Sequence, residues 1–279
     1  MPFTPAHAVV ALPFVRTPLL PAAIAIGAMT PDLPLFVRGT PLTYHLTHSD
    51  VTITTLVALG LLALWYLVLR PAIRELSPAW LARRLPGEWD AVGLAALRTL
   101  RAPRPGAQHA VWRETAVFAP LLAVSLLLGV VSHIVWDAFT HEGRGGLDLF
   151  PVLSAPWGPM PGYKWLQHGS SVLGLVVIAV CAVAWLARRR AAASIDRVLP
   201  RWIPIAWMLA LPAILTVAWC AGVAWRGPFT AEWTPQHLAY LMLPPACAIW
   251  GALTFALCVS VVVLRLRRPA GAARGTESE

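Results

Sequence analysis

The sequence predicts an all-α fold: a polytopic helical membrane protein with about five transmembrane helices and an N-terminal segment that is re-entrant or interfacial. Three observations carry this. Hydrophobic residues make up 58% of the 279-residue chain and charged residues only 13%, against about 25% charged in a soluble domain. The apolar residues gather in several long runs, near the ~20 residues a helix needs to cross hydrocarbon. The basic residues are confined to alternate connecting segments, as the positive-inside rule requires of a multi-pass chain.

Taken in order, residues 1–50 are apolar but repeatedly broken by proline, at Pro2, Pro5, Pro13, Pro18 and Pro21. They lack the basic start of a signal peptide. Pro18–Met29 is short for a span, so short interfacial or re-entrant helices are expected, with a full span over Pro18–Phe36 as the alternative. Val51–Leu69 reads as the first span, with Asp50 or Ser49 placed to cap it. Residues 70–115 form an arginine-rich polar segment, in which Ser77-Pro78 looks like the start of a surface helix carrying Trp80, Leu81 and Leu85 against anionic lipid. Ala116–Ala138 is the second span. A Gly- and Pro-rich loop covers 139–170, and Ser171–Ala187, Ile203–Trp225 and Tyr240–Leu264 are the remaining spans. Internal prolines such as Pro212, Pro244 and Pro245 are tolerated in lipid. The chain is expected to form one helical membrane domain over 1–264, followed by a disordered tail over 265–279.

Of the 22 basic residues, only Arg16, Arg38, Arg144, Lys164 and Arg226 fall outside the 70–115 segment, the 188–202 segment and the tail. The arginine-rich set is therefore expected in the cytoplasm, with the C-terminus. The formal net charge of +9 is explained by topology, and no nucleic-acid partner is expected; membrane lipids are. The cysteines Cys181, Cys220, Cys247 and Cys258 lie within apolar runs without metal-type spacing and read as packing residues.

This topology sorts the histidines. His133, Asp137 and His141 recur every four residues at the far end of the second span, so on a helix they share a face. His48 stands just before the first span and His168 just before the third. Segments 1–50, 129–141 and 163–171 thus deliver imidazole and carboxylate to one outer face, joined by His7 and Asp32 if the N-terminal segment is re-entrant. Imidazole with carboxylate is the ligand chemistry of zinc, manganese or iron, and ionisable groups at membrane depth are functional by default. Other readings stand beside this one. His133 and Asp137 could bond each other as a structural pair, Asp32 could build an Asx-turn, and His109 and His237 read as anchoring residues. Ser170-Ser171 beside His168 lacks the surroundings of a serine nucleophile.

The opening Met1-Pro-Phe-Thr-Pro-Ala-His7, the Gly27-Ala-Met-Thr-Pro-Asp32 turn, Ser132-His-Ile-Val-Trp-Asp-Ala-Phe-Thr-His141 and Leu166-Gln-His-Gly-Ser-Ser171 resemble a bacterial integral-membrane family, one of the domains of unknown function (DUF4184). More distantly, Thr47-His48-Ser49 and the His-x3-Asp pattern are similar to bacterial membrane-bound metal-dependent hydrolases, and the ligand order resembles the all-helical site of zinc-dependent phospholipase C and nuclease. The resemblance implies that His7, Asp32, His48, His133 and Asp137 hold one or two divalent ions, zinc foremost. His141 or His168 would be an extra ligand or proton carrier and Glu142 a further candidate base. There is one carboxylate in the Pro-Asp turn and no late His-x3-Glu, which argues against a three-metal site. The expected protein is thus a multi-pass protein of the bacterial cytoplasmic membrane, hydrolysing a phosphoester or a lipid or envelope substrate at its outer face. A non-enzymatic transport or assembly factor with a structural or metal-binding cluster is the alternative.

Overall fold

The structure, a computed structural model, describes residues 4–37, 40–101 and 115–268. Five of its helices are long and apolar enough to cross a bilayer: Val51–Leu76, Val117–Thr140, Gly162–Ala187, Trp202–Arg226 and Pro235–Arg267. Strand among the described residues is confined to Pro156–Trp157 paired antiparallel with Met160–Pro161. The chain is an all-α polytopic membrane protein. Its described residues divide into two compact units, one drawn from Met1–Leu64 and Arg101–Arg189, the other from Trp65–Leu100 and Arg190–Glu279.

In the first unit the N-terminal region forms short helices, as its prolines dictate. A 3₁₀ helix over Thr4–Phe14 precedes α1 (Pro21–Met29), which opens on a proline at its first turn and passes into a second 3₁₀ turn, Thr30–Leu35. After α2 (Tyr44–Ser49), capped by the Thr43 hydroxyl, comes α3 (Val51–Leu64). Asp50 caps α3 as expected, accepting the Ile53 N–H at 2.9 Å. Here α1 lies directly on the long helix Thr115–Thr140, named α7 below. A Cβ on Gly129 would run into the Ile24 carbonyl and lie 2.7 Å from the Ala28 nitrogen, so the two backbones approach as only glycine permits. Gly27 faces the same crossing from the other side, against the Leu126 carbonyl. Buried Ser125 of the long helix accepts the Leu20 N–H at 2.9 Å, satisfying backbone at the start of α1.

In the second unit the first span runs past Leu69, where the sequence placed its end. A π-helical stretch, Trp65–Leu69, leads into α4 (Arg70–Leu76). The charged residues that hid this extension are paired. Glu75 is fully buried and accepts the N–H groups of Val198 (3.1 Å) and Leu199 (2.9 Å), with Arg265 at 3.2 Å. Arg74 pairs with Asp90, and Arg70 bonds Thr99. Beside them Ala72, Leu76, Leu199, Cys258 and Val261 form an apolar core. The surface helix expected after Ser77-Pro78 shrinks to α5, Ala79–Ala82, with Trp80 exposed, because the chain turns again at Pro86. A further short helix, α6 (Gly93–Leu100), follows.

Four sequence boundaries therefore move. The second span, α7 (Thr115–Thr140), is close to expectation. The third is longer, since α9 begins at Gly162 behind the extended Pro161, and the loop before it holds a short helix, α8 (Gly145–Leu149). In the second unit, α10 (Trp202–Arg226) matches its expected range, while α11 (Pro235–Arg267) starts earlier and continues into the expected tail. Residues 269–279 and His109 lie outside the described residues.

Candidate metal centre

The site is built in the first unit on α7. Leu126, Val130, His133, Asp137 and Thr140 form one buried stripe of that helix, at spacings of three and four residues. The glycine crossing brings the C-terminus of α1 against this stripe. The Ala28 carbonyl lies 2.7 Å from His133 Nδ1. A carbonyl only accepts, so Nδ1 carries a proton, and a neutral ring then presents its Nε2 lone pair inward. The Thr30–Leu35 turn then carries Asp32 into the same space. It is fixed there by Thr4, whose hydroxyl donates to Asp32 Oδ2 at 2.7 Å, and by Thr47, whose hydroxyl donates to the Pro31 carbonyl at 2.7 Å. On α2, His48 Nδ1 donates to the Tyr44 carbonyl at 2.9 Å, again leaving Nε2 bare. His7, from the Thr4–Phe14 helix, stacks on the His133 ring with centroids 4.1 Å apart.

Asp137 stands at the centre. Its carboxylate lies 3.4 Å from His133 Nε2, 3.5 Å from His48 Nε2 and 3.8 Å from His7 Nε2, while Asp32 lies 3.6 Å from His133 Nε2. These separations exceed the 2.7–3.2 Å of a direct N–H···O bond. They approach the spacing of ligands around a shared ion: donors ~2.0–2.1 Å from a tetrahedral zinc sit roughly 3.3–3.4 Å apart. One donor atom each from Asp32, His48, His133 and Asp137 falls within 4.8 Å of all the others, and all four residues are buried. His7 Nε2, His48 Nε2, His133 Nε2 and Asp137 Oδ1 are buried without a hydrogen-bond partner among the described residues. Four such atoms facing one another would be costly as a purely structural knot. Donor atoms of Asp32, His48, His133 and Asp137 lie close enough together to hold a divalent cation.

A family profile described as Domain of unknown function (DUF4184) matches residues 1–263, the whole of the described site included. The chain belongs to this family. No curated protein and no solved structure matches it.

Within this DUF4184 chain the surrounding groups tune the centre. Burial lowers the His7 pKa from 6.5 to about 4, with His133 beside it adding to the effect, so His7 is neutral at physiological pH and able to donate its lone pair. Burial and the nearby Asp137 carboxylate raise the Tyr44 phenol, which stays protonated and donates to Asp137 Oδ2 at 3.2 Å. His141 has its pKa lowered by burial. Its Nε2 faces the Gln167 amide nitrogen at 3.2 Å, and its Nδ1 lies 3.5 Å from Asp137 Oδ2. His141 thus bridges Gln167 and Asp137, and which of its ring nitrogens carries the proton depends on the tautomer.

The structure thus brings together His7, Asp32, His48, His133, Asp137 and His141. It does not bring His168 in: that side chain is exposed, and the preceding Gln167, 1% exposed, takes the inward place. Successive helical residues point about 100° apart, so one position decides which of the two faces the site. Glu142 is likewise exposed, and its contact is with Tyr163, whose hydroxyl lies 3.3 Å away. His237 caps α11, its Nδ1 accepting the Thr234 N–H at 3.3 Å. Thr4, Thr47 and Gln167 stand in the motifs quoted from the sequence but were given no role there, and Tyr44 was not named. The one local hint was Tyr44 four residues before His48, a helical spacing that puts both on one face.

Proposed function

We propose that this protein is a metal-dependent hydrolase of the bacterial cytoplasmic membrane, acting at its outer face on a phosphoester in a lipid or envelope precursor. The observation that carries the reading is the convergence of three bare imidazole Nε2 atoms and a carboxylate oxygen, all buried and without hydrogen-bond partners among the described residues. His7, Asp32, His48, His133 and Asp137 would hold one or two ions, with zinc the expected metal because neutral imidazole and carboxylate suit it. A divalent ion held there supplies Lewis acidity and lowers the pKa of bound water to about 7. The chain's own residues then do the following. Asp137 and Asp32 offset the positive charge, the Ala28 and Tyr44 carbonyls lock the His133 and His48 tautomers, and Tyr44 and Thr4 orient the two carboxylates. His141, beside Asp137 and Gln167, is placed to carry a proton, taking it up as a neutral imidazole and passing it on to the leaving group or to solvent. The exposure of Glu142 and His168 leaves no role for them in this scheme.

The test is metal content by mass spectrometry on detergent-purified protein, wild type beside His133→Ala and Asp137→Ala, followed by hydrolysis of a chromogenic phosphodiester with and without chelator. Near-stoichiometric zinc, lost at least ten-fold in both variants together with the hydrolysis, is expected. Metal-free wild type after zinc reconstitution would overturn the metal reading. Bound metal with no metal-dependent turnover would overturn the hydrolase and favour a carrier or assembly factor.

A further inference from the structure

Beside the cluster, and within the same unit, lies a cavity of about 420 Å³, in the size range of small-ligand sites. It is walled by the Thr4–Phe14 helix, the last third of α7 and the first half of α9. Two of these walls belong to helices long and apolar enough to cross a bilayer.

Its lining changes character along α9. At one end stand Ser170 and Ser171, with the Trp136 indole donating to the Ser170 hydroxyl at 3.1 Å. Seven residues on, ~10 Å along the helix at 1.5 Å per residue, stands Val177, and Val9, Val10 and Leu173 complete an apolar lining. The polar end lies next to the metal centre, because the Ser170 and Ser171 hydroxyls donate to the carbonyl of Gln167 (3.3 and 2.7 Å), whose side chain reaches His141. His7 belongs to both places. Its ring lines the cavity, while its buried Nε2 faces Asp137 at 3.8 Å. One imidazole separates the cavity from the cluster.

The floor excludes a bulky guest. A Cβ on Gly174 would lie 3.0 Å from the Ala6 carbonyl, so the 3₁₀ helix and α9 are already in backbone contact and no further helix seats between them. What remains is a mainly apolar cavity with a hydroxyl-bearing end, beside the His/Asp cluster.

We propose that this cavity holds one hydrocarbon chain of a phospholipid-type amphiphile, whose phosphate headgroup lies at the His/Asp cluster. The chain-binding part stands on the cavity alone, and the role of the occupant as substrate rests on the hydrolase reading above. In this arrangement substrate reaches the site sideways from the bilayer, and the fit of its chain beside His7 sets the position of its phosphate.

The experiment uses the full chain in phosphatidylethanolamine–phosphatidylglycerol vesicles containing a phosphatidylglycerol analogue with a photoactivatable diazirine in one acyl chain. After irradiation, adducts are mapped by peptide mass spectrometry. The expected result is several-fold enrichment on Val9, Val10 and Val177, all half-buried, over Val180 and Val183, which are 62% and 66% exposed on the same helix and report ordinary surrounding lipid. Val177→Trp, which fills the cavity, should abolish the enrichment without loss of bound zinc. Val10→Trp, from the facing wall of the cavity, gives a second filled variant should the first fail to fold. Adducts no denser in the cavity than at Val180 and Val183, or enrichment unchanged in a folded filled variant, would overturn the proposal. Either outcome is separable from the hydrolase reading, which stands or falls on zinc content and hydrolysis of the soluble phosphodiester.

Discussion

Asp137 has four imidazoles and a phenol around one carboxylate, at 3.2 to 3.8 Å, and the behaviour of the site follows from how those neighbours are protonated. His7 gives a pH prediction. Its folded pKa of about 4 lies below the usual 6.5. The unfolded chain therefore takes up a proton below pH 6.5, while the folded chain does so only near pH 4. As pH falls through that window the unfolded state gains, so this group's contribution to stability is complete above 6.5 and is lost toward 4. In chelator, wild type should melt at a clearly lower temperature at pH 5 than at pH 7.5, and His7→Gln should show a smaller difference; an equal drop in both proteins would remove His7 as the cause. Thr4 gives a second prediction. Its hydroxyl is 2.7 Å from Asp32 Oδ2, and loss of such an orienting bond typically weakens metal binding 10–100-fold. Thr4→Val, similar in shape, should lower zinc affinity by that range in a competition titration with a chromophoric chelator while the fold persists. The His133/Asp137/His141 series was legible in the sequence because an i, i+4 pattern is local to one helix. The choice of Gln167 over His168 was not, because it depends on the rotational phase of α9, and that phase is set by where Pro161 starts the helix.

At the scale of elements, the crossing of α1 and α7 positions everything else. Gly27 and Gly129 stand about a hundred residues apart in sequence, and nothing local marks them as partners. Their contact puts the Ala28 carbonyl and the Asp32 carboxylate on the His133 ring. Overpacking a tight core costs about 1–3 kcal/mol, and at Gly129 an added side chain meets backbone that cannot rotate away. Gly129→Val should therefore cost at least about 2 kcal/mol and deplete bound zinc, although no ligand is touched. The check is thermal unfolding and metal content on the same preparation; wild-type zinc in a stable variant would show that the crossing does not hold the site. Helix boundaries were legible where hydropathy alone decides, as in α7 and α10. They were missed where charge is buried. Arg70, Arg74 and Glu75 read as the start of a polar loop, yet each finds a partner in its own unit and continues the helix to Leu76. Pairing is a tertiary fact, and a hydropathy window does not see it.

For the molecule as a whole, the decisive quantity is the distribution of arginine across the five spans. The segments between α3 and α7 and between α9 and α10, together with the end of α11, hold most of the 22 basic residues, and the alternate connections hold few. Some of these arginines also serve the fold, Arg74 and Arg265 by pairing with Asp90 and Arg268 with Asp196. That does not weaken their effect on orientation, since the charge bias acts during insertion, before tertiary pairs exist. On the proposed reading of this bias the C-terminus lies in the cytoplasm. The turn between α7 and α9, and with it the end of α7 that carries His133 and Asp137, would then face outward. Two exposed positions report the two sides: Ser154 in the α8–α9 connection and Ala193 in the α9–α10 connection. Ser154→Cys should react with a membrane-impermeant maleimide on intact cells, and Ala193→Cys only after permeabilisation. The native cysteines Cys181, Cys220, Cys247 and Cys258 lie within spans, where such a reagent does not reach, so the unsubstituted chain supplies the blank. The reverse pattern would put the metal centre on the cytoplasmic side and would exclude a substrate arriving from the outer leaflet.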